Sequence, residues 1–336
     1  MQGAGIKEFI AMSVNYAWAS LLLFLMASRL PLIITCALLS GAAGAAELGE
    51  AQVRSYIGQQ LVADIELTIL MPCLNEAETL AACIGKARAF LDRSGIAGEI
   101  LVADNGSTDG SQALATELGA RVVPVTERGY GAALIGGCRA AAGRYIVMGD
   151  CDGSYNFVEG VAMVAALERG HDLCMGNRFK GGIAPGAMPW KNRHIGNPGL
   201  TGVLNLFFRS GIGDAHCGLR AIRKEAFERL GLSGTGMEFA SEMVIKAALL
   251  KLRIAEVPAT LSPDLRERAP HLRPWRDGWR HLRYLFMLSP TWAFGVPAAA
   301  MMIAGMAIFV VAVLAMFGAI AVMALAPWLD TSSVRS

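Results

Sequence analysis

The sequence predicts an α/β fold, a mostly parallel sheet covered by helices on both faces, with apolar segments at both ends of the chain. Short apolar runs recur from about residue 66: LTILM, EILVA, RVVPV, YIVMG and DLCMG. Between them the apolar residues switch to helical spacing, so that Leu80, Cys83, Ile84, Ala87 and Leu91 fall on one face of a helix. Strands alternating with helices build a parallel sheet. In such sheets ligands bind beyond the carboxyl ends of the strands, and there the polar clusters occur.

The first run leads into PCLNE (72–76), the second into DNGSTDG (104–110) and the fourth into DCDGS (150–154). Each delivers acids or turn residues to one edge of the sheet. The last cluster poses a problem of charge. Asp150 and Asp152, one residue apart, repel each other unless a cation lies between them. A lone pair of this kind can simply end a strand, since Asp and Gly favour turns. At a strand end beside two other acidic strand ends, a hard divalent cation, Mg²⁺ or Mn²⁺, is the better reading, because it prefers oxygen ligands and bridges carboxylates to phosphates. Transfer of a sugar from a nucleotide diphosphate makes this demand, since negative charge develops on the leaving diphosphate.

Composition divides the 336 residues. The chain is 54% hydrophobic and only 17% charged, with a mean hydropathy of +0.43, too apolar for an ordinary soluble domain. The excess lies at residues 9–46 and 291–329, while the middle has a globular mix. Net charge is +2, yet RERAPHLRPWRDGWRHLR (266–283) is strongly basic. Seven cysteines without a CxxC pair indicate neither a disulfide framework nor a zinc site and suit a reducing compartment.

Four stretches in order, PCLNEAETL (72–80), VADNGSTDGS (102–111), RGYGAALIGGCRAAAGRYIVMGDCDGS (128–154) and CGLRAIRKEAF (217–227), resemble the family 2 glycosyltransferases. Within them the chain is similar to the polyprenyl-phosphate (dolichol-phosphate) hexosyltransferase branch, over about residues 66–285. The resemblance implies a GT-A fold, Rossmann-like, and an inverting, metal-dependent transfer. It places Pro72, Asn75 and Glu76 in the first nucleotide-binding loop, Asp104 at the base edge, and Asp150 and Asp152 on the metal and diphosphate. Asn105 stands where the family often has a second acid, and Ser154 where many dolichol-phosphate enzymes have glutamine. Gly129 and Gly131 are either close-approach positions near the donor or plain turns.

On the acceptor side, Arg178 in MGNRFKGG matches the family stretch facing the acceptor phosphate, and a guanidinium suits a phosphate. Arg193, Arg266 and Arg268 are further candidates. Glu242, in FASEMVIKA, is expected to pair with a buried arginine such as Arg220. His216 is read as part of a structural loop rather than as a base. A lipid phosphate with a second pKa near 6 arrives already ionised, leaving alignment and leaving-group stabilisation as the enzyme's tasks. A sugar hydroxyl would instead require a carboxylate base.

Residues 266–290 read as a basic interfacial helix, with Trp275, Trp279, Leu282 and Phe286 on one stripe and Arg276, Arg280 and Arg283 beside it. Residues 297–326 carry no charge and suffice to cross a bilayer, within a C-terminal segment taken as 291–336. The basic side orients the catalytic domain, 64–265, to the cytosol at the cytoplasmic membrane, where nucleotide-sugars are made. The chain's end at Ser336 fits a short or a truncated version of the branch. Residues 1–63 contain a stretch from Met26 that imitates a secretory signal. They are expected instead to form an uncleaved membrane hairpin broken near Arg29–Pro31, an extension from an upstream start codon being the alternative. The expected partners are a UDP-sugar or GDP-mannose, an undecaprenyl or dolichyl phosphate and the membrane, with no nucleic acid and with oligomerisation open. Transfer to a sugar hydroxyl and a catalytically dead sugar-nucleotide-binding partner are the competing readings. No Q-x-x-R-W stretch, the mark of processive synthases, occurs in the chain.

Overall fold

A computed structural model describes residues 65–266 and 274–330. The expected hairpin and start-site extension at residues 1–63, and Arg268, lie outside the described residues. The five anticipated strands form, and two more join them. In chain order the elements are β1 (Leu67–Cys73), α1 (Ala77–Ser94), β2 (Gly98–Asp104), α2 (Ser111–Glu117), β3 (Arg121–Pro124), α3 (Tyr130–Ala140), β4 (Tyr145–Met148) and α4 (Gly160–Glu168). They continue with β5 (Leu173–Asn177), the short α5 (Arg178–Gly181), α6 (Asn197–Phe208), β6 (Arg220–Arg223), α7 (Lys224–Leu230), α8 (Phe239–Leu249), β7 (Ile254–Pro258), α9 (Pro274–Met287) and α10 (Val296–Asp330).

Among the described residues the sheet has seven strands in the order β3-β2-β1-β4-β6-β5-β7. β1 pairs in parallel with both β2 and β4. The strand order reverses there, which leaves a crevice beyond the ends of β1 and β4. β6 runs antiparallel to both β4 and β5. The loop that enters β6 therefore arrives at the edge where β4 ends, a feature the apolar runs did not signal.

Alternation along β1 explains the two cores. Ile69 and Met71 face a layer with Leu80, Ile84 and Phe90 of α1 and Met163 and Leu167 of α4. Leu70 faces the opposite layer with Leu134 of α3, Phe227 of α7 and Met243 of α8. The helical stripe read from the sequence is the buried face of α1: Leu80, Cys83, Ile84 and Ala87 are inside, and Leu91 packs at the margin. The helix ends at Gly95, whose left-handed φ of 65° lets its N–H reach Leu91 O.

The basic segment forms α9, but its stripe divides differently from the expectation. His281 and Leu285 are buried and Leu282 packs against the core. Phe286 meets Phe207 of α6 at 5.2 Å, and Phe207 stacks on Trp292 at 5.0 Å. Trp279 stays exposed, as do Arg276, Arg280 and Arg283. An amphipathic helix next to a folded domain buries its apolar face against that domain first. Beyond it, Thr291–Ala326 is the one span among the described residues long and apolar enough to cross a membrane, and none of it is buried in the protein.

Candidate active site

The loops after β1 and β2 are stitched together by side chains that the sequence places in their turns. Asn75 adopts a left-handed φ of 58°, tolerable for asparagine. Its N–H donates to Ser107 Oγ at 2.9 Å, and its Oδ1 accepts from Thr108 N at 2.7 Å. The Glu76 N–H donates to Ser111 Oγ at 3.0 Å. Asp104 is 1% exposed, and its carboxylate accepts from the N–H groups of Gly106 and Ser107 and from Gln112 Nε2 at 2.6 Å. It shapes this loop from beneath. Asn105 holds the next one: its amide donates to Val125 O and Glu127 O and accepts from Gly129 N at 2.7 Å. A carboxylate could not supply those two donors, which accounts for asparagine here.

The Asp150–Ser154 loop sits against these. Pro72 O accepts from Cys151 Sγ at 2.8 Å. From α1, Thr79 Oγ1 donates to Cys151 O at 2.5 Å and Lys86 Nζ to Gly153 O at 2.9 Å. Tyr130 Oη donates to Asp150 Oδ1 at 2.8 Å. Burial, and next the charge of Asp152, push the Asp150 carboxyl up to about 6. Asp152 Oδ1 accepts from Ser154 N at 2.9 Å and from the Ser154 hydroxyl. Its Oδ2 faces Arg266, whose Nη2 lies 2.9 Å away while Nη1 reaches Glu76 Oε1 at 3.0 Å. Asp264 is the third carboxylate on that guanidinium, at 2.6 Å. A Cβ on Gly218 would press on Asp150 Oδ2 and the Tyr155 ring, so a larger residue in the loop entering β6 would displace the Asp150 carboxylate.

The family model for glycosyl transferase family 2 matches residues 68–231. A low-salt glycan biosynthesis hexosyltransferase, Agl6, of Haloferax volcanii is 40% identical over 247 residues, 73% of this chain and 59% of that protein. The chain thus spans about three fifths of the length of that relative. The polyprenol monophosphomannose synthase of Mycolicibacterium smegmatis is 30% identical, over 58% of this chain and 76% of that protein. The chain belongs to glycosyltransferase family 2. The fold is GT-A-like: glucosyl-3-phosphoglycerate synthase of Mycobacterium tuberculosis, crystallised with Mn²⁺, UDP and glucosyl-3-phosphoglycerate, superposes with a TM-score of 0.52 at 21% identity, over 69% of this chain and 82% of that one.

For a family 2 glycosyltransferase the edge is chemically apt. No group of three or more His, Cys, Asp or Glu side chains suited to a metal occurs among the described residues. Asp150 and Asp152 nevertheless offer hard oxygens, and Arg266 already lies as a cation against Asp152 and Glu76. Two carboxylates leave most of the coordination to phosphate and water, as Mg²⁺ and Mn²⁺ prefer. The residues fit such an ion.

Pro72, Asn75, Glu76, Asp104, Asp150, Asp152 and Arg266 are brought together at this edge. The other candidates are elsewhere or otherwise engaged. Gly129 and Gly131 lie against the protein's own backbone: a Cβ on either would strike the carbonyls of Thr235 or Gly234. Gly131→Ala is expected to cost about 1–3 kcal/mol by overpacking, read as a lower urea midpoint; an unchanged midpoint would show that the 234–236 loop yields freely. Arg178 is buried with Asp214 in a two-point ion pair, Nε–Oδ2 at 2.7 Å and Nη2–Oδ1 at 2.8 Å. Arg193 is exposed in the helical turn before α6.

The expected pairing of Glu242 with Arg220 is replaced. Glu242 accepts from Gly234 N at 2.7 Å and pairs with Lys246 at 2.7 Å, one turn away. Arg220 donates instead to the carbonyls of Cys217, Ala240 and Ala215. His216 is half-buried beside Ser241 and His281 with its Nδ1 shielded from water, and desolvation holds it well below the ordinary histidine range. It stays neutral inside the fold, in keeping with a structural loop. Tyr130, Asp214 and Asp264 were missed, because their sequence neighbours do not show what each one meets.

Proposed function

We propose that this protein is a membrane-attached, inverting hexosyltransferase that moves a glucose or mannose unit from a UDP-sugar or GDP-mannose to a polyprenyl phosphate, with Mg²⁺ or Mn²⁺. The observation that carries the reading is the crevice beyond β1 and β4, where Asp152 and Glu76 converge on one cation position with Asp150 close by. A polyprenol monophosphomannose synthase among the relatives supports the acceptor class. A divalent ion bound there would neutralise charge on the departing diphosphate. Tyr130 and Ser154 fix the orientation of the two aspartates. The Asn75–Thr108 and Asn105–Gly129 bonds shape the floor that receives the nucleotide.

In the transfer a phosphate oxygen of the acceptor attacks the anomeric carbon as the bond to the diphosphate breaks, so configuration inverts. No proton has to be removed from an ionised phosphate. The edge is built accordingly: Glu76, Asp152 and Asp264 are ion-paired with Arg266, and Asp104 is bonded to its loop. None of these four is poised as a base for a hydroxyl. Arg193, and Arg268 beyond the described residues, are proposed to meet the acceptor phosphate. Arg178 would serve by holding the loop of Asp214. Exposed Trp279 and the three outward arginines of α9, leading into the apolar span, support attachment at the membrane surface with the catalytic domain in the cytosol.

The test is to incubate membranes containing the protein with radiolabelled UDP- and GDP-sugars and analyse the lipid extract. Label in a glycosyl phosphate, released by mild acid, is expected with one of them. Label found only in polysaccharide or neutral glycolipid would move the reading to a hydroxyl acceptor.

A further inference from the structure

We infer that Arg266 is a built-in counter-cation that excludes the divalent ion from Asp152 and Glu76 until a nucleotide diphosphate arrives with it. The inference rests on the metal reading proposed above and adds to it an order of binding. Arg266 lies in a strap, residues 262–266, that crosses the Asp150–Ser154 loop. Ser262 N donates to Ser154 O at 2.9 Å and Leu265 N to Asp152 O at 3.0 Å. The Leu265 side chain lies over Gly153, where a Cβ would meet it. These contacts hold the guanidinium on the site through the backbone, so only the side chain has to move for the site to open.

Asp152 has no room for both cations. Its Oδ1 is used by the N–H and hydroxyl of Ser154. Its Oδ2 is the oxygen left for a metal, and Arg266 Nη2 occupies it at 2.9 Å. A metal–oxygen bond of about 2.1 Å at that atom would press two positive groups together in a partly desolvated place, where like charges repel strongly. Arg266 and the ion are therefore alternatives. Three carboxylates (Glu76, Asp152 and Asp264) surround one guanidinium, so the protein holds them together without a metal. A diphosphate brings the further negative charge that tips the exchange. Arg266 thereby protects the carboxylates from free ions and ties metal entry to donor entry.

The test measures Mn²⁺ binding to the full-length protein in detergent by electron paramagnetic resonance, with and without UDP or GDP. Wild type is compared with Arg266→Gln and Arg266→Lys, each checked for folding by circular dichroism. Without nucleotide, Arg266→Gln is expected to bind Mn²⁺ about tenfold tighter or more, the weight of a charge-assisted bond released, and its dependence on nucleotide should shrink. Lysine keeps the charge that repels the ion but lacks the fork that spans Glu76 and Asp152, so Arg266→Lys should fall between wild type and Arg266→Gln. If Arg266→Lys binds Mn²⁺ as tightly as Arg266→Gln, a positive charge at this place does not keep the ion out and the exclusion is overturned. Unchanged affinity in both variants, with nucleotide-dependent binding intact, also overturns it while the metal reading stands. Absence of Mn²⁺ binding in all three proteins with either nucleotide would sink the metal reading, and this inference with it.

Discussion

Asp152→Asn is expected to lower sugar transfer by at least about a hundredfold, the scale for removing one group that stabilises transition-state charge. The fold should survive. Asp152 stands in a loop pinned independently by Thr79, Lys86, Ser262 and Leu265, and an asparagine Oδ1 can still accept from Ser154. What is lost is the charge on Oδ2, which faces the cation position. Transfer measured in lipid extracts, set beside an unchanged melting profile and retained membrane insertion, checks this. Activity that persists in excess EDTA, or in the variant, would end the metal assignment. Asp150→Asn should be less severe, because Tyr130 already engages one of its oxygens.

The second large effect falls on stability. Asp214→Ala should cost about 3–5 kcal/mol, because it leaves the guanidinium of Arg178 buried without its counter-charge. The two side chains are 9% and 0% exposed, so water does not take over the missing role. The backbone N–H of Arg178, which donates to Asp214 Oδ2 at 3.1 Å, loses its acceptor as well. Replacing both partners, Arg178→Met with Asp214→Leu, should recover much of the loss, since removing a buried pair is cheaper than orphaning half of it. Urea unfolding of the two single variants and the double variant gives the coupling. A loss below 1 kcal/mol for Asp214→Ala would mean that Arg178 finds another partner, and its proposed part in holding the Asp214 loop would fall.

The legible parts of the chain were those governed by local periodicity. The runs LTILM and YIVMG became β1 and β4 because consecutive apolar residues bury both faces of a strand in a parallel sheet. The stripe from Leu80 to Ala87 became the inner face of α1 for the same local reason. RAIR (220–223) did not announce itself as β6, since four residues with arginines at both ends resemble a loop. Its pairing with β4 and β5 makes it a strand. On α9 the aromatic and apolar stripe was legible, but its division between the domain and the outside depended on Phe207, some eighty residues earlier.

Site residues divide along the same line. Asp150, Asp152, Glu76 and Asn75 were recognisable because their chemistry and their place after strands are both properties of short stretches. Partners were not. Arg178 looked like a phosphate ligand until Asp214, 36 residues on, took two of its donors in a buried pair. Arg266 looked like an acceptor cation until the strap laid it between Glu76 and Asp152, which are 190 and 114 residues away. The sequence by itself determined the alternation of strands and helices, the edge at which acids gather, the apolar C-terminal span and the family. Only the tertiary structure decided which charge meets which. Hydrophobic periodicity acts within a few residues and can be read along the chain, whereas an ion pair or a close backbone approach depends on a separation in space that chain order does not encode.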